Sequence, residues 1–210
     1  GKSGKFGYKG GLRYEYTFQN VKYLNMDGHD FNINYGNLVP SADISYAIDQ
    51  QQNIGLTYNM RISRPGITFL NPYVNRQDPL AISYGNPDLE CEKAHNVSMV
   101  YNYYTSAVMM NLTLRYSFCD NAIDSYSFYD SNNVLNTTYG NISKNKSVGL
   151  TAFINWNPGK NTRIYTNSSV SYVDMRSSTL GVQNSGWQDN IMVGFQQTLP
   201  YNYRLSLNVM

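Results

Sequence analysis

Apolar and polar residues alternate along most of this chain with a period of two, the spacing that sends every second side chain of a strand to the same face. In the first such run Phe6, Tyr8, Leu12, Tyr14, Tyr16 and Phe18 share one parity, while Lys9, Arg13, Glu15 and Thr17 share the other. The pattern returns as two runs around Ala42–Ile48 and Ile54–Ile62, and as two more around Val97–Tyr103 and Met110–Phe118. Val148–Trp156 and Ile164–Tyr172 form a third pair, and Ile191–Phe195 and Tyr203–Val209 a fourth. With the first run, these predict about nine antiparallel strands, each with one apolar and one polar face.

Short and long connections also alternate. Turns of a few residues are expected at Asp49–Gln52, near Thr105, at Asn157–Lys160 and at Pro200–Asn202, where Pro, Gly and Asn supply turn chemistry. Longer polar links are expected at residues 19–37, 64–94, 120–145 and 175–188. Outer-membrane barrels have this asymmetry, with short periplasmic turns and long outer loops, so the first strand is expected to run outward.

Composition narrows the class. Charged residues make up 14% of the chain, where about 25% is usual for a soluble domain. Twenty tyrosines and eight phenylalanines supply rings suited to a boundary between hydrocarbon and water. The mean hydropathy is -0.46 and no run reaches the roughly 20 apolar residues of a spanning helix. A transmembrane barrel tolerates both facts, because only alternate residues meet lipid. The rival for alternating strands is a soluble β-sandwich; tyrosines near the strand ends and runs longer than five or six residues argue against it. The net charge of +2 is scattered, which gives no electrostatic case for nucleic acid.

A family resemblance rests on Arg64-Pro65, Leu70-Asn71-Pro72-Tyr73-Val74-Asn75, Asp78-Pro79 and Tyr84-Gly85-Asn86-Pro87-Asp88-Leu89-Glu90, followed by a strand beginning near His95-Asn96. This stretch resembles a barrel segment of TonB-dependent receptors, with Cys91 standing where the usual pattern has Pro. Together with Tyr129-Asp130, Thr138-Tyr139, Asn141-Ile142 and Asn155-Trp156-Asn157-Pro158, it is similar to the outer-membrane β-barrel family common in Bacteroidetes-type receptors, over most of residues 35–175. The resemblance implies a barrel of about 22 strands closed by an N-terminal plug. It also implies energy delivered through TonB, and uptake of a metal chelate, cobalamin or glycan. Neither plug nor TonB box is visible here. The missing initiator Met and signal segment are expected of a mature chain or an excised piece, while the odd strand count and the end at Asn208-Val209-Met210 without a terminal aromatic are expected of a piece of a larger barrel.

Arg13, Glu15, Arg61 and Arg115 fall on the polar parity and are expected to face the lumen, towards a plug or an anionic ligand, though solvated or mutually paired charge is the plainer expectation. Arg64 and Arg76 sit at a loop base and in a loop; Asn86 and Asp88 lie in a turn that cannot continue a ladder. A hinge role for that turn is preferred over ligand contact. His29 and His95 have no partner at metal-ligand spacing, and Asp120, Asp124 and Asp130 lack a calcium-loop pattern, so no metal site is expected. Cys91 and Cys119 fall on opposite faces of a hairpin, which argues against a disulfide unless a bulge resets the register.

The expectation is therefore an all-β, antiparallel transmembrane β-barrel segment occupying residues 1–210, without catalytic residues or cofactor, in contact with outer-membrane lipid. The rivals are a small stand-alone barrel with a structural or adhesive role and a barrel-borne enzyme, for which no catalytic arrangement is legible.

Overall fold

The computed structural model describes residues 1–22, 31–177 and 179–210. The strands are β1 (Lys2–Ser3), β2 (Phe6–Val21), β3 (Phe31–Ala47), β4 (Gln52–Ser63), β5 (Asn75–Asp78), β6 (Ala81–Ser83), β7 (Glu92–Tyr104), β8 (Val108–Tyr129), β9 (Leu135–Gly159), β10 (Thr162–Ser177), β11 (Val182–Asn190), β12 (Val193–Thr198) and β13 (Arg204–Val209). One helical turn, α1 (Ile67–Leu70), interrupts them, and a 3-10 turn at Pro200–Asn202 joins β12 to β13. The sheet runs β1-β2-β3-β4-β7-β8-β9-β10-β12-β13, and β11 also pairs with β10. Counting β11 and β12 as one strand interrupted at Ile191-Met192, nine spans follow one another as an antiparallel meander. The two edges of the sheet do not pair with each other, so the sheet is an open section of barrel wall.

The register makes the two faces continuous across strands. On the apolar face Tyr8, Ile44, Leu56, Met99, Leu114, Leu150 and Val170 lie in one cross-strand row. On the polar face Lys9, Asp43, Thr57, Ser98, Arg115, Gly149 and Ser171 form the adjacent row. The apolar side chains stand uncovered: Leu12 is 70% exposed and Trp187 71%. A sandwich would bury that face against a second sheet. Here hydrocarbon has to cover it, which excludes the soluble rival.

The principal departure from the sequence reading concerns the long links. Three of the four are mostly ladder: β2 and β3 pair up to Val21↔Phe31, β8 and β9 up to Tyr129↔Leu135, and β10 and β11 up to Ser177↔Val182. Polar residues such as Ser127 and Thr137, whose hydroxyls meet at 2.8 Å, break the apolar alternation without breaking the strand. The hairpins thus rise beyond the lipid, where both faces meet water and alternation no longer has a cause. The third short turn, expected at Asn157–Lys160, also shifts. Pro158 lies inside β9, and a bulge between Thr162 and Ile164 absorbs it, leaving Lys160-Asn161 as the turn.

Among the described residues, only the link between β4 and β7 leaves the meander. β3 separates from β4 beyond Ser41↔Asn59, at Pro40, which has no N–H for a ladder, while β4 continues along β7 as far as Ser63↔Glu92. The resulting gap admits residues 64–91 to the polar face.

Candidate functional site

The inward segment, residues 64–91, folds on itself before it meets the wall. Its helical turn is closed by Phe69 N–H to Gly66 O and Asn71 N–H to Ile67 O, both 2.9 Å. Asn71, Asn75, Asp78 and Asn86 each accept the backbone N–H two residues ahead, at 2.9, 3.1, 2.9 and 2.9 Å, so short polar side chains set successive turns. The stretch Tyr84-Gly85-Asn86 then returns against α1, with Gly85 N–H donating to Asn71 O at 2.7 Å and Asn86 N–H to Phe69 O at 2.6 Å. A Cβ at Gly85 would lie 2.6 Å from three backbone atoms of Phe69 and Asn71, so this approach requires glycine. Leu70, Leu89 and Cys91 are almost wholly buried and belong to the few core residues of the molecule.

This segment ties together two hairpins that are distant in the meander. Towards β2–β3, the Tyr35 hydroxyl donates to Leu89 O at 2.9 Å, and Arg64 donates to Thr17 Oγ1 at 2.7 Å and pairs with Glu15. Towards β8–β9, β6 adds to β9 in parallel through Ala81↔Leu135 to Ser83↔Thr137, Asn86 Nδ2 donates to Tyr139 O at 3.0 Å, and the Phe69 and Tyr139 rings meet edge-on at 4.8 Å. At the start of β7, Asn121 donates to Cys91 O and accepts from Lys93 N–H, at 2.8 and 2.9 Å. Asn141 binds Glu90 N–H and Glu90 O at 2.9 and 3.1 Å, and Glu92 accepts from Ile123 N–H at 2.7 Å. These polar groups satisfy the backbone where bulges near Ala122 interrupt the β8–β9 ladder.

The structure gathers some of the residues singled out in the sequence and separates others. Arg13 and Arg64 both pair with Glu15, so one carboxylate is shared by two guanidiniums. A recess of about 400 Å³ at the separation of β3 from β4 brings Arg61 to the same place as Arg13. Arg115 lies two strands beyond β4, opposite Ser98 and Gly149, and Arg76 is exposed on β5. Among the described residues, Arg61, Arg76 and Arg115 form no ion pair. Asn86 is occupied entirely in holding the segment, whereas the carboxylate of Asp88 is exposed. Asn121, Glu92 and Tyr35, which share the anchoring with Asn141, are not singled out by the sequence; Asn141 enters there only within the Asn141-Ile142 motif of the resemblance, and the lapse of alternation around Asn121 is the one local signal.

The remaining candidates are structural. Cys91 and Cys119 are free thiols; burial pushes the Cys91 thiol above its ordinary pKa, opposed by a hydrogen bond from Asn37. His95 lies on the apolar face, where its Nδ1 meets the Tyr58 hydroxyl at 2.8 Å and its ring stacks on Phe118 at 4.7 Å. His29 lies outside the described residues. Asp124 binds Ser143 at 3.1 Å, and Asp130 caps the β8–β9 turn by accepting the N–H groups of Asn132 and Val134 at 2.8 and 3.0 Å. Among the described residues no three His, Cys, Asp or Glu are grouped to hold a metal ion.

The fold is similar to that of solved iron and copper transporters and a siderophore receptor. The FrpB iron transporter of Neisseria meningitidis (F5-1 variant) superposes with a TM-score of 0.66 at 14% identity, over 99% of this chain and 31% of that one. The copper transporter OprC gives 0.59 at 14% identity, over 95% of this chain and 31% of that one. The siderophore receptor PirA of Pseudomonas aeruginosa gives 0.55 at 13% identity, over 94% and 44%. The chain therefore spans between about a third and a half of the length of these proteins. No curated protein matches it in sequence. The model of the outer membrane protein beta-barrel family matches residues 1–210, the whole chain, and with the lipid-facing sheet just described this establishes that the protein belongs to that family and resides in the bacterial outer membrane.

Proposed function

We propose that the chain forms part of the wall and outer vestibule of a TonB-dependent receptor, which imports a nutrient too large for passive pores: a metal chelate, cobalamin or glycan. The observation that carries this reading is the inward segment. Residues 64–91 leave the wall after Ser63, beside the gap that opens at Pro40, and lie across the polar face, fastened to the β2–β3 and β8–β9 hairpins. A gated receptor needs a vestibule of set shape above its plug, and such a strut fixes that shape. Similarity of fold to iron, copper and siderophore proteins supports the same class. In the intact protein a plug domain would occupy the lumen, TonB would supply the energy from the periplasm, and Arg13, Arg61 and Arg115 would face plug or ligand.

The wall itself has no chemistry to perform; its part is positioning. The experiment is growth of a strain lacking the gene on ferric chelate, cobalamin or glycan as the limiting source, with and without an intact TonB system. Loss of growth on one source, reproduced by removing TonB, supports the reading. Uptake that persists without TonB, or full growth on all three sources, would overturn it.

A further inference from the structure

The ladder between β3 and β4 stops part of the way up the wall. Its last pair is Ser41↔Asn59, and among the described residues no backbone bond joins the two strands beyond it. Asn59 lies in β4, which starts at Gln52 just after the short turn. At about 3.3 Å per residue and a tilt of about 40°, the opening begins about 18 Å above that turn, inside an apolar band of about 25 Å. Lipid-facing side chains continue past it, since Tyr14 and Leu38 are exposed on the apolar face at 63% and 57%. With the short turns at the periplasmic side, the opening therefore faces hydrocarbon of the outer leaflet.

A wall in hydrocarbon has to close its ladders, because lipid satisfies no backbone group. Pro40 lowers that cost at the split, having no N–H to leave stranded. Farther up, the inward segment fills the gap in place of a strand, through the Tyr35 hydroxyl on Leu89 O at 2.9 Å and the Asn37 side chain on the Cys91 thiol. Below this filling lies the recess of about 400 Å³, bordered by Leu12, Pro40 and Met60 and by Arg13, Asn59 and Arg61. Neighbouring residues of a strand point to opposite faces, so a recess that touches Leu12 and Met60 as well as Arg13 and Arg61 runs through the wall. Its lipid end is apolar and its lumen end carries two guanidiniums. Arg13 is paired with Glu15, whereas Arg61 is exposed and, among the described residues, forms no ion pair.

We propose that this recess is a lateral portal for a single-chain amphiphilic anion, whose head binds Arg61 and Arg13 in the lumen while its alkyl tail passes Pro40, between Leu12 and Met60, into the outer leaflet. The recess has the size of an ordinary small-molecule site, and the flexible thioether of Met60 can adapt to a chain. A cargo held in this way keeps its tail in hydrocarbon while its head is in water, so the chain is never exposed to solvent. The inference rests on the reading of the chain as a receptor wall, and it narrows the cargo to a chelate that bears an acyl tail.

The test uses the full-length receptor carrying this segment, held in lipid nanodiscs so that no detergent competes, and dodecanoate with a photoreactive group at the end of its tail. Cross-linked peptides are located by mass spectrometry. Labelling of the wild type should concentrate at residues 11–13, 38–41 and 59–61. Excess dodecanoate should suppress it, whereas butyrate, which has the head without the tail, and dodecanol, which has the tail without the charge, should not. Arg61→Gln should weaken binding about fivefold, as expected for one charge at a membrane surface, and Arg61→Lys should restore most of it. Met60→Trp, which fills the recess, should remove the labelling, and heat-modifiable migration on a gel would verify that each variant is folded. Labelling spread evenly over the lipid-facing strands, suppression by dodecanol equal to that by dodecanoate, or unchanged binding to folded Arg61→Gln would each overturn the proposal. The assay needs neither TonB nor growth: site-specific binding without TonB-dependent uptake would contradict the receptor reading alone, and uptake without site-specific binding would contradict the portal alone.

Discussion

Replacing Gly85 by alanine tests whether the inward segment is held by the contacts assigned to it. The added Cβ would sit 2.6 Å from Asn71 N, Asn71 O and Phe69 O, all backbone atoms that no rotamer can move aside. Restoring ordinary contact means opening the Tyr84–Asn86 strand from α1 by about 0.8 Å. That carries the Gly85–Asn71 and Asn86–Phe69 hydrogen bonds, now 2.7 and 2.6 Å, to the limit of bonding. Two weakened backbone bonds at about 1 kcal/mol each, with a further fraction for residual overpacking, give about 2–3 kcal/mol of local destabilisation. The loss should be confined to the segment, because the barrel ladder is not involved. Amide exchange followed by mass spectrometry on the full-length receptor should show residues 84–92 exchanging about 30- to 140-fold faster in Gly85→Ala, with the β3–β4 turn unchanged. Protection altered by less than about threefold would refute the packing argument, and an equal loss at the β3–β4 turn would refute its local character.

Two other perturbations address the faces and the hairpin tip. Leu150→Arg places a charge on the lipid side, level with Leu114 and Val170, and should cost about 2–4 kcal/mol and reduce the heat-modifiable fraction; Thr151→Arg, one residue on and facing Thr113 on the polar side, should be tolerated within about 1 kcal/mol. Equal effects would contradict the assignment of faces. The Asp130 carboxyl is held below its ordinary pKa by the N–H groups of Val134 and Asn132, so its contribution is present above the ordinary aspartate value and is lost as pH falls through the lower folded value. Protection at residues 130–134, taken relative to the intrinsic exchange rate at each pH, should therefore fall in acid in the wild type, while Asp130→Asn should show the lower protection already at neutral pH; protection unchanged in acid in the wild type would count against the capping role.

Much of the wall was legible because lipid enforces a period-two code. Each run from Phe6 to Val209 reappears as a strand, and the parity that separated Tyr14 from Arg13 is the parity of the two faces. Where the solvent becomes water on both sides, the code lapses, and so Ser125–Ser127 and Thr137–Tyr139 read as loop although they pair as ladder. The candidate site was legible only as a motif. Arg64 and Asn86 could be picked out, but the carboxylate that meets Arg64 lies 49 positions away, and the carbonyl that meets Asn86 lies 53 away. Such contacts depend on the register of two separate hairpins, one of them bulged, which no local pattern encodes. Pro158 misled for a related reason, since proline marks a turn in isolation but is accommodated in a strand by a bulge.

The length of β9 has a consequence for capture. Its 25 residues extend about 85 Å, which at the usual barrel tilt gives a height of about 60 Å against an apolar band of about 25 Å. The β8–β9 arm therefore stands far above the membrane, braced on one side by β6. Because the arm is a hydrogen-bonded ladder and not a free coil, a visiting molecule meets a surface whose ordering was completed during folding, and little affinity is lost to freezing loops on contact. Its exposed hydroxyl and amide side chains can also be exchanged without disturbing the backbone beneath, so the reach of the arm and the identity of what it touches can change independently.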